Sequence, residues 1–289
     1  MRNNLSKVVL ATRKSPLALK QAEIAASSIR DTLDLETEIL PLATTGDQRM
    51  EWSLEQEGGK GLFTKELEVA LLEGRADLAV HSAKDLPTET PGGLVLAGCL
   101  PRENPCDVLV TREDVQVPEF VATGSPRRRA QLLANRWPGA KMKEIRGNVG
   151  TRLRKIAEDH EADATVLAAA GLSRLGITSF PGLRFEELSI DEMVPAPGQA
   201  AIALQVRESE LELFQPVCHS ETTRSVNFER EVLATTGGGC QVAMGVHRQG
   251  KNLYVFHENI LSVLDLAGLS ESEALSKCCL LYTSPSPRD

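Results

Sequence analysis

Between residues 7 and 206, short apolar runs typical of buried strands alternate with longer segments whose apolar residues recur at helical spacing. Two of the helical segments begin with the same pair, Ser15-Pro16 and Ser125-Pro126, and each pair follows a strand pattern. Serine is a preferred N-cap residue, and proline fits the first helical turn. This alternation predicts α/β domains built on parallel or mixed sheets.

Proline-rich breaks divide the pattern. Pro101 and Pro105 predict a boundary between two α/β series, and the segment 195–198 predicts a hinge-like break. The apolar run after that break is expected to return to the first sheet. From about Val217 one helix and two or three strands predict a small antiparallel sheet. We therefore expect domain 1 at residues 1–100 and 199–216, domain 2 at 101–198 and domain 3 at 217–289.

Composition limits the class of protein. A chain of 289 residues that is 42% hydrophobic and 25% charged is expected to be globular and water-soluble. No window approaches 18 uninterrupted apolar residues, and no signal-peptide pattern precedes the first strand, so we expect neither a membrane span nor secretion. Six cysteines without metal-type spacing or a disulfide framework are typical of a reducing cytoplasm and predict no metal site.

Positive charge is concentrated in one segment. The whole chain carries a net charge of −8, but residues 124–155 hold ten basic side chains and one acidic one. Such a segment in an acidic protein predicts a compact polyanionic ligand. Arg127, Arg128 and Arg129 lie in the first turn of a predicted helix, where cations oppose the helix dipole and an anion would be favoured. The guanidinium fork also pairs well with carboxylates.

Further charged residues lie at predicted strand ends, where α/β sheets bind ligands. Arg13 ends the first strand pattern, and Lys84 and Asp85 follow the pattern at 78–81. From spacing alone, a solvated turn arginine and a surface turn explain these residues equally well. His81, a lone histidine on a strand pattern, is interpreted as a core residue.

Three consecutive glycines precede Cys240. They let the backbone approach a ligand closely and present the thiol as a nucleophile or attachment point. A glycine-rich turn that begins a strand is the simpler interpretation of this stretch by itself. Residues 49–61 predict a long polar loop typical of a substrate flap, without the spacing of a nucleotide-binding loop.

Six ordered motifs resemble the porphobilinogen deaminase, or hydroxymethylbilane synthase, family. They read ATRKSPLAL at 11–19, GKGLF at 59–63, HSAKD at 81–85, RGNVGTR at 146–152, AGLSRLG at 170–176 and GGCQV at 238–242. The resemblance implies two periplasmic-binding-protein-like α/β domains plus a small α+β C-terminal domain with an antiparallel sheet. It implies a transferase of tetrapyrrole and heme biosynthesis that condenses four porphobilinogen units onto a dipyrromethane cofactor, loses ammonia and releases hydroxymethylbilane. We expect a cytoplasmic monomer without nucleic-acid or membrane partners.

The resemblance also implies roles for individual residues. Asp85 and Lys84 would be catalytic, and Cys240 would hold the dipyrromethane through a thioether. The residues expected to contact the cofactor are Lys84, Asp85, Ser125, Arg127, Arg128, Thr123, Asp47 and Gly147. Those expected to contact the substrate are Arg13, Ser15, Arg146, Arg152, Arg174 and Gln199. Lys60 would lie in the flexible loop.

Four features depart from the family pattern. Gly124 stands where serine is common, Ala200 where glycine usually follows Pro-Gly-Gln, and Ala243 where proline is common. After about residue 260 the resemblance ends, and residues 278–289 look like a foreign or frame-shifted tail. We therefore expect domain 3 to lack its last helix or strand.

Two other functions explain parts of the sequence. A solute-binding module would use the arginines to hold an anion and would bury Cys240 in a strand, but it leaves Asp85 and the glycine-presented thiol without a purpose. An RNA-binding protein would use residues 124–155, but the acidic remainder and a total of eleven aromatic residues disfavour base stacking. Steep salt dependence of RNA binding would favour that second alternative.

Overall fold

The computed structural model describes residues 6–48, 61–235, 242–257 and 260–283. Within these ranges the strands form two five-stranded sheets and one three-stranded sheet. None of the helices in the described ranges combines the length and apolar character that a membrane crossing requires.

The first sheet is built mainly from the N-terminal third of the chain. Its elements are β1 (Lys7–Arg13), α1 (Pro16–Leu33), β2 (Glu36–Leu42), α2 (Thr45–Gln48), α3 (Lys65–Leu72), β3 (Leu78–Ser82) and β4 (Leu94–Cys99). β1 pairs in parallel with both β2 and β3, so these three strands end at the same edge. Helix α1 packs an alanine-rich face with Ile29 against the sheet.

The second sheet repeats the alternation of strands and helices. Its elements are β5 (Asp107–Arg112), β6 (Phe120–Ala122), α4 (Pro126–Asn135), β7 (Lys141–Lys143), α5 (Val149–Ala157), β8 (Ala164–Ala168), α6 (Ala169–Arg174) and β9 (Leu183–Leu188). The strand order is β7-β6-β8-β5-β9, with β5 antiparallel to β8 and β9. Leu153 and Ile156 of α5 are buried in its core.

The chain then returns to the first sheet, as the apolar run predicts. Strand β10 (Ile202–Arg207) inserts antiparallel between β3 and β4, which gives the order β2-β1-β3-β10-β4. A short helix α7 (Leu211–Phe214) follows, and Phe214 is fully buried against the first sheet.

The third sheet is antiparallel and packs on two helices. Its elements are α8 (Ser220–Thr235), β11 (Gly245–Gln249), β12 (Asn252–His257), β13 (Ile260–Asp265) and α9 (Glu271–Thr283). Ala274 and Cys278 of α9 lie in the same core cluster as Phe228 of α8, so a helix does follow β13. The predicted fold class, two α/β units with a small α+β unit, is confirmed.

Both Ser-Pro pairs begin helices as predicted. The Ser15 hydroxyl accepts a hydrogen bond from the Ala18 amide at 3.3 Å, and the Ser125 hydroxyl accepts one from the Arg128 amide at 3.4 Å. Each serine thus supplies a partner for an amide that the first helical turn leaves unpaired.

Two strands of the structure, β4 and β9, were not predicted. Both are edge strands, and the half-exposed sequence of β9, LRFEEL, lacks a continuous apolar run.

Ala200 adopts a left-handed backbone conformation with φ of 70°. We expect Ala200→Gly to raise the free energy of unfolding by about 0.5–1 kcal/mol, because relief of the steric conflict of Cβ at positive φ outweighs the entropy that glycine adds to the unfolded chain. Urea unfolding measures the change. Ala134→Gly, on the exposed face of α4, is the matched control and should lower stability by about 0.5–1 kcal/mol. Equal losses of unfolding free energy in both variants would contradict the steric explanation.

Candidate active site

The carboxyl ends of β1 and β3 place predicted site residues at one sheet edge. Arg13 ends β1, and a 3₁₀ turn at Ala83–Asp85 follows β3 directly. Arg13, Ser15 and Asp85 line one pocket together with Phe63 and Ser82. We call this the β1–β3 pocket. The parallel pairing of the two strands, rather than proximity in sequence, brings Arg13 and Asp85 together.

Asp47 holds the guanidinium group of Arg13. Arg13 Nε donates to Asp47 Oδ2 at 3.3 Å, and Arg13 Nη2 donates to Asp47 Oδ1. The guanidinium carbon lies 4.1 Å from the centre of the Phe63 ring. Burial raises the pKa of Asp47, but the hydrogen bonds from Arg13 and Thr44 outweigh this effect and hold the pKa below its ordinary value. These contacts fix the orientation of the Arg13 guanidinium group, and the Asp47 carboxylate largely balances its charge.

Asp107, at the start of β5, binds two of the predicted arginines. Arg127 Nη2 and Arg128 Nη2 each donate to one of its carboxylate oxygens at 2.7 Å. The remaining Nη1 groups donate to the backbone carbonyls of Val194 and Val166, at 2.6 and 2.8 Å. Burial raises the pKa of Asp107, but the two guanidinium groups hold it well below its usual range. The arginines at this helix N-terminus therefore already have an internal anionic partner.

Gln199 connects this cluster to Lys84. Its amide nitrogen donates to Asp107 Oδ1 at 3.1 Å and to the Pro105 carbonyl at 2.7 Å. Its amide oxygen accepts from Lys84 Nζ and from Arg127 Nη2, each at 3.4 Å. Burial, then the charge of Arg128, lowers the pKa of Lys84 to about 8, although Asp85 and Asp107 act in the opposite direction. We call Lys84, Asp107, Arg127, Arg128 and Gln199 the Asp107 cluster.

Gly147 positions Arg152. Its φ is 111°, and a Cβ there would lie 2.8 Å from Thr151 Cγ2, so the turn requires glycine. The Gly147 carbonyl accepts from Arg152 Nε at 2.8 Å. Burial and the neighbouring charges of Arg128 and Arg146 lower the pKa of Arg152 to about 10, while Asp85 raises it. The charge of Arg128 reaches Arg152, so Arg152 lies within electrostatic reach of the Asp107 cluster, and Arg146 lies within reach of Arg152.

The other predicted residues have structural partners or lie outside the described residues. Thr123 accepts a hydrogen bond from the Ser125 amide at 3.1 Å, at the turn into α4. Arg174 donates to the Ala200 carbonyl at 2.6 Å, and burial lowers its pKa. Cys240 and Lys60, together with the triglycine turn and the polar loop that contain them, lie outside the described residues.

His81 is a buried residue, as expected. It is 5% exposed, and its Nε2 lies 3.0 Å from Gln205 Oε1. Burial lowers its pKa to about 4, so the imidazole is neutral at neutral pH. Among the described residues no group of three or more His, Cys, Asp or Glu side chains has an arrangement that could hold a metal ion.

A family profile described as "Porphobilinogen deaminase, dipyromethane cofactor binding domain" matches residues 8–215. The porphobilinogen deaminase of Thiobacillus denitrificans is 43% identical over 255 residues, which cover 85% of this chain and 81% of that protein. The enzyme of the same name from Chromobacterium violaceum is 43% identical over 251 residues, covering 83% and 79%. The chain belongs to the porphobilinogen deaminase family. The predicted family, and with it the predicted transferase class, are confirmed.

Solved structures with related shapes are more distant. The aliphatic sulphonate binding protein SsuA of Escherichia coli is 13% identical with a TM-score of 0.44, and the match covers 81% of this chain and 71% of that one. The periplasmic VFT2 domain of Bordetella pertussis BvgS is 21% identical with the same TM-score, covering 78% and 89%.

The sequence analysis missed two buried carboxylates. Neither Asp107 nor Glu229 is among the residues predicted for the site. Glu229 is fully buried and accepts hydrogen bonds from Arg102 at 2.7 and 3.0 Å and from the Gly198 amide at 2.8 Å. An acidic residue at the first position of an apolar strand pattern, as Asp107 is, was the available signal, because a buried charge requires a partner.

Removing the charge of Asp107 tests the cluster. We expect Asp107→Asn to lower the free energy of unfolding by about 3–5 kcal/mol, because two buried guanidinium groups would lose their counter-ion. Urea unfolding at neutral pH measures this. Asp114→Asn is the control: Asp114 pairs with Arg112 at an exposed position, where solvent screens the charges, and its loss should change stability little. Similarly small losses of unfolding free energy in the two variants would show that Asp107 contributes little to the stability of the protein.

Proposed function

We propose that this chain condenses four porphobilinogen units stepwise onto a dipyrromethane primer attached to Cys240, losing one ammonia per unit, and then hydrolyses the linear tetrapyrrole hydroxymethylbilane from it. The observation that carries the proposal is the position of Asp85, which shares the β1–β3 pocket with Arg13 and Ser15 and lies beside Lys84. Membership of the porphobilinogen deaminase family supports the substrate and the reaction.

The residues present fit a dipyrromethane, whose two rings together bear four carboxylates. Arg127 and Arg128 are 4% and 7% exposed, and the Nε atom of each has no hydrogen-bond partner within the described residues. Buried donors of this kind suit a carboxylate oxygen. We infer that Thr123, Ser125, Arg127, Arg128, Lys84, Asp47 and Gly147 hold the group. When bound, it supplies the pyrrole carbon to which substrate units are added.

Lys84 and the more exposed arginines would bind the carboxylates of the incoming unit and the growing chain. With a pKa of about 8, Lys84 is mostly cationic at neutral pH. Lys84 directly precedes Asp85 in the same 3₁₀ turn. Arg146 and Arg152 add positive charge on the second sheet's side, and Arg13, Ser15, Arg174 and Gln199 complete the substrate contacts. Lys60, predicted for the flexible loop, lies outside the described residues.

Asp85 would act on the positive charge that the reaction creates. When ammonia leaves the aminomethyl group of porphobilinogen, the methylene carbon becomes electron-poor and shares positive charge with the pyrrole nitrogen. A carboxylate beside that ring stabilises the charge, and it can accept the proton lost after the new carbon–carbon bond has formed. The Asp85 carboxylate at the end of β3 would therefore act in the same way in every condensation step.

The proposal also includes the domain bounds, the cellular location and the oligomeric state of the protein. The first sheet uses residues 7–99 and 202–207, the second uses 107–188, and the third uses 245–265, which supports bounds at 1–100 with 199–216, 101–198 and 217–289. We infer a cytoplasmic monomer. The net charge of −8 opposes a nucleic-acid partner.

The covalent attachment can be tested by mass. We expect the purified protein to carry a dipyrromethane on the peptide that contains Cys240, because a glycine-presented thiol is accessible for thioether formation. Peptide mass spectrometry locates the adduct, which Cys240→Ser should abolish. Cys106→Ser, at a half-buried cysteine of the described residues, should retain it. A fully active protein without any adduct would refute the attachment.

The role of Asp85 can be tested by Asp85→Asn, which keeps the size of the side chain and removes its charge. We expect single-turnover ammonia release to slow by about 10²–10³-fold, as for loss of a preorganised electrostatic group. Protein already carrying its primer must be used, so that primer assembly is not measured instead. Asp114→Asn is again the control and should leave the rate unchanged. A rate of Asp85→Asn close to that of the unsubstituted protein would assign Asp85 to structure.

A further inference from the structure

Arg230, a residue that the proposed mechanism leaves unused, contacts the chain directly after Asp85. It lies in α8, and its Nη1 donates to the Leu86 carbonyl at 3.2 Å while its Nη2 donates to the Pro87 carbonyl at 2.7 Å. The Leu86 amide in turn donates to the Ala83 carbonyl at 3.3 Å, at the end of the 3₁₀ turn. Arg230 therefore binds the end of the turn that carries Asp85.

The chemistry of this contact suits an arginine. Leu86 is 6% exposed, and backbone carbonyls that lie away from water need hydrogen-bond donors. A guanidinium group presents its N–H groups in a fixed planar fork, which can reach two successive carbonyls at once. The ammonium of lysine is a point charge on a flexible stem and lacks this geometry. Arg230 thus fixes both the position and the direction of the segment after Asp85.

Packing and backbone contacts hold the rest of the same turn. Ala83 and Leu86 are buried in one apolar cluster with Val226, which lies one helical turn before Arg230 on α8. At the start of the turn, the Ala83 amide donates to the Ala201 carbonyl at 3.0 Å. The turn is therefore held at its start by the segment that leads into β10 and at its end by α8.

The charge of Arg230 reaches the neighbouring strand. Burial lowers the pKa of His81 to about 4, and the charges of Arg13 and Arg230 act in the same direction. His81 lies in β3 and lines the β1–β3 pocket together with Asp85. Arg230 itself is not one of the described residues that line this pocket. It lies behind the pocket, where it contacts the turn and leaves the lining to other residues.

We propose that Arg230 is a positioning residue of the condensation reaction, which holds the Asp85 carboxylate at the end of β3 by binding the carbonyls of Leu86 and Pro87. This inference rests on the proposed function and adds a residue that acts through Asp85 rather than by touching the substrate. A charged group stabilises a transition state most when it is already in place. Because α8 also precedes Cys240 in the sequence, one helix would support both the catalytic carboxylate and the primer attachment.

The test compares Arg230→Met in two forms of primer-loaded protein, one with Asp85 and one with Asp85→Asn. The measurement is single-turnover ammonia release from porphobilinogen. With Asp85 present, we expect Arg230→Met to slow release by about 10–10²-fold, because the carboxylate would be displaced from its productive position. In the Asp85→Asn protein, we expect less than about two-fold further slowing, because the group through which Arg230 acts has already lost its charge.

Arg224→Met is the matched control. Arg224 is an exposed arginine of the same helix, so its substitution removes the same charge from α8. It should leave the rate unchanged in both forms. Urea unfolding shows whether Arg230→Met is folded. If it is not, Arg230→Lys, which keeps the charge without the planar fork, gives the same comparison with a smaller slowing.

Equal slowing with and without the Asp85 carboxylate would overturn the positioning role, because a residue that acts only on general stability is indifferent to the charge of Asp85. Unchanged rates in both Arg230 variants would overturn it as well. If the unsubstituted protein released no ammonia from porphobilinogen, the proposed function would be refuted, and this inference with it.

Discussion

The carboxylate of Asp107 binds three side chains of the site at once. It receives one guanidinium nitrogen from each of Arg127 and Arg128 and the amide nitrogen of Gln199. These partners come from the first turn of α4 and from the segment that leads into β10. Burying a charge is favourable only when its partners and hydrogen bonds are complete. The structure therefore depends on α4 starting at Ser125 and on the return of the chain between β3 and β4.

A second buried carboxylate holds the other side of the same segment. Glu229 of α8 binds Arg102, the Gly198 amide and the Arg248 amide. Burial raises its pKa, but Arg102 and His247 together lower it to about 2. A Cβ on Gly198 would lie 2.9 Å from Ala83 Cβ, so this peptide packs directly on the turn that carries Asp85. Glu229 thereby connects helix α8, which precedes Cys240 in the sequence, to the turn that carries Asp85, a predicted catalytic residue.

Internal acids thus decide how positive charge is presented. Where Asp107 binds Arg127 and Arg128, the guanidinium planes are fixed. Where Asp47 binds Arg13, the positive charge at the end of β1 is largely balanced. Cationic and anionic groups also lie side by side where Lys84 directly precedes Asp85. Fixed charges of this kind need no rearrangement during the reaction.

The sequence by itself determined the order of most elements, because strand periodicity, Ser-Pro helix starts and glycine breaks act locally. The local pattern placed Arg13 and Asp85 at strand ends, and it marked residues 124–155 as an anion-binding segment. Only the tertiary structure decided that Asp107 and Glu229 are buried counter-ions, that edge strands β4 and β9 exist, and that Gln21 meets Ser82 across 61 residues of chain. Those contacts depend on which strands become neighbours. The pairing of distant segments leaves no periodic pattern in either partner's own sequence. The sequence could therefore mark Asp107 as a charge that needs a partner, but it could not show which residues are its partners.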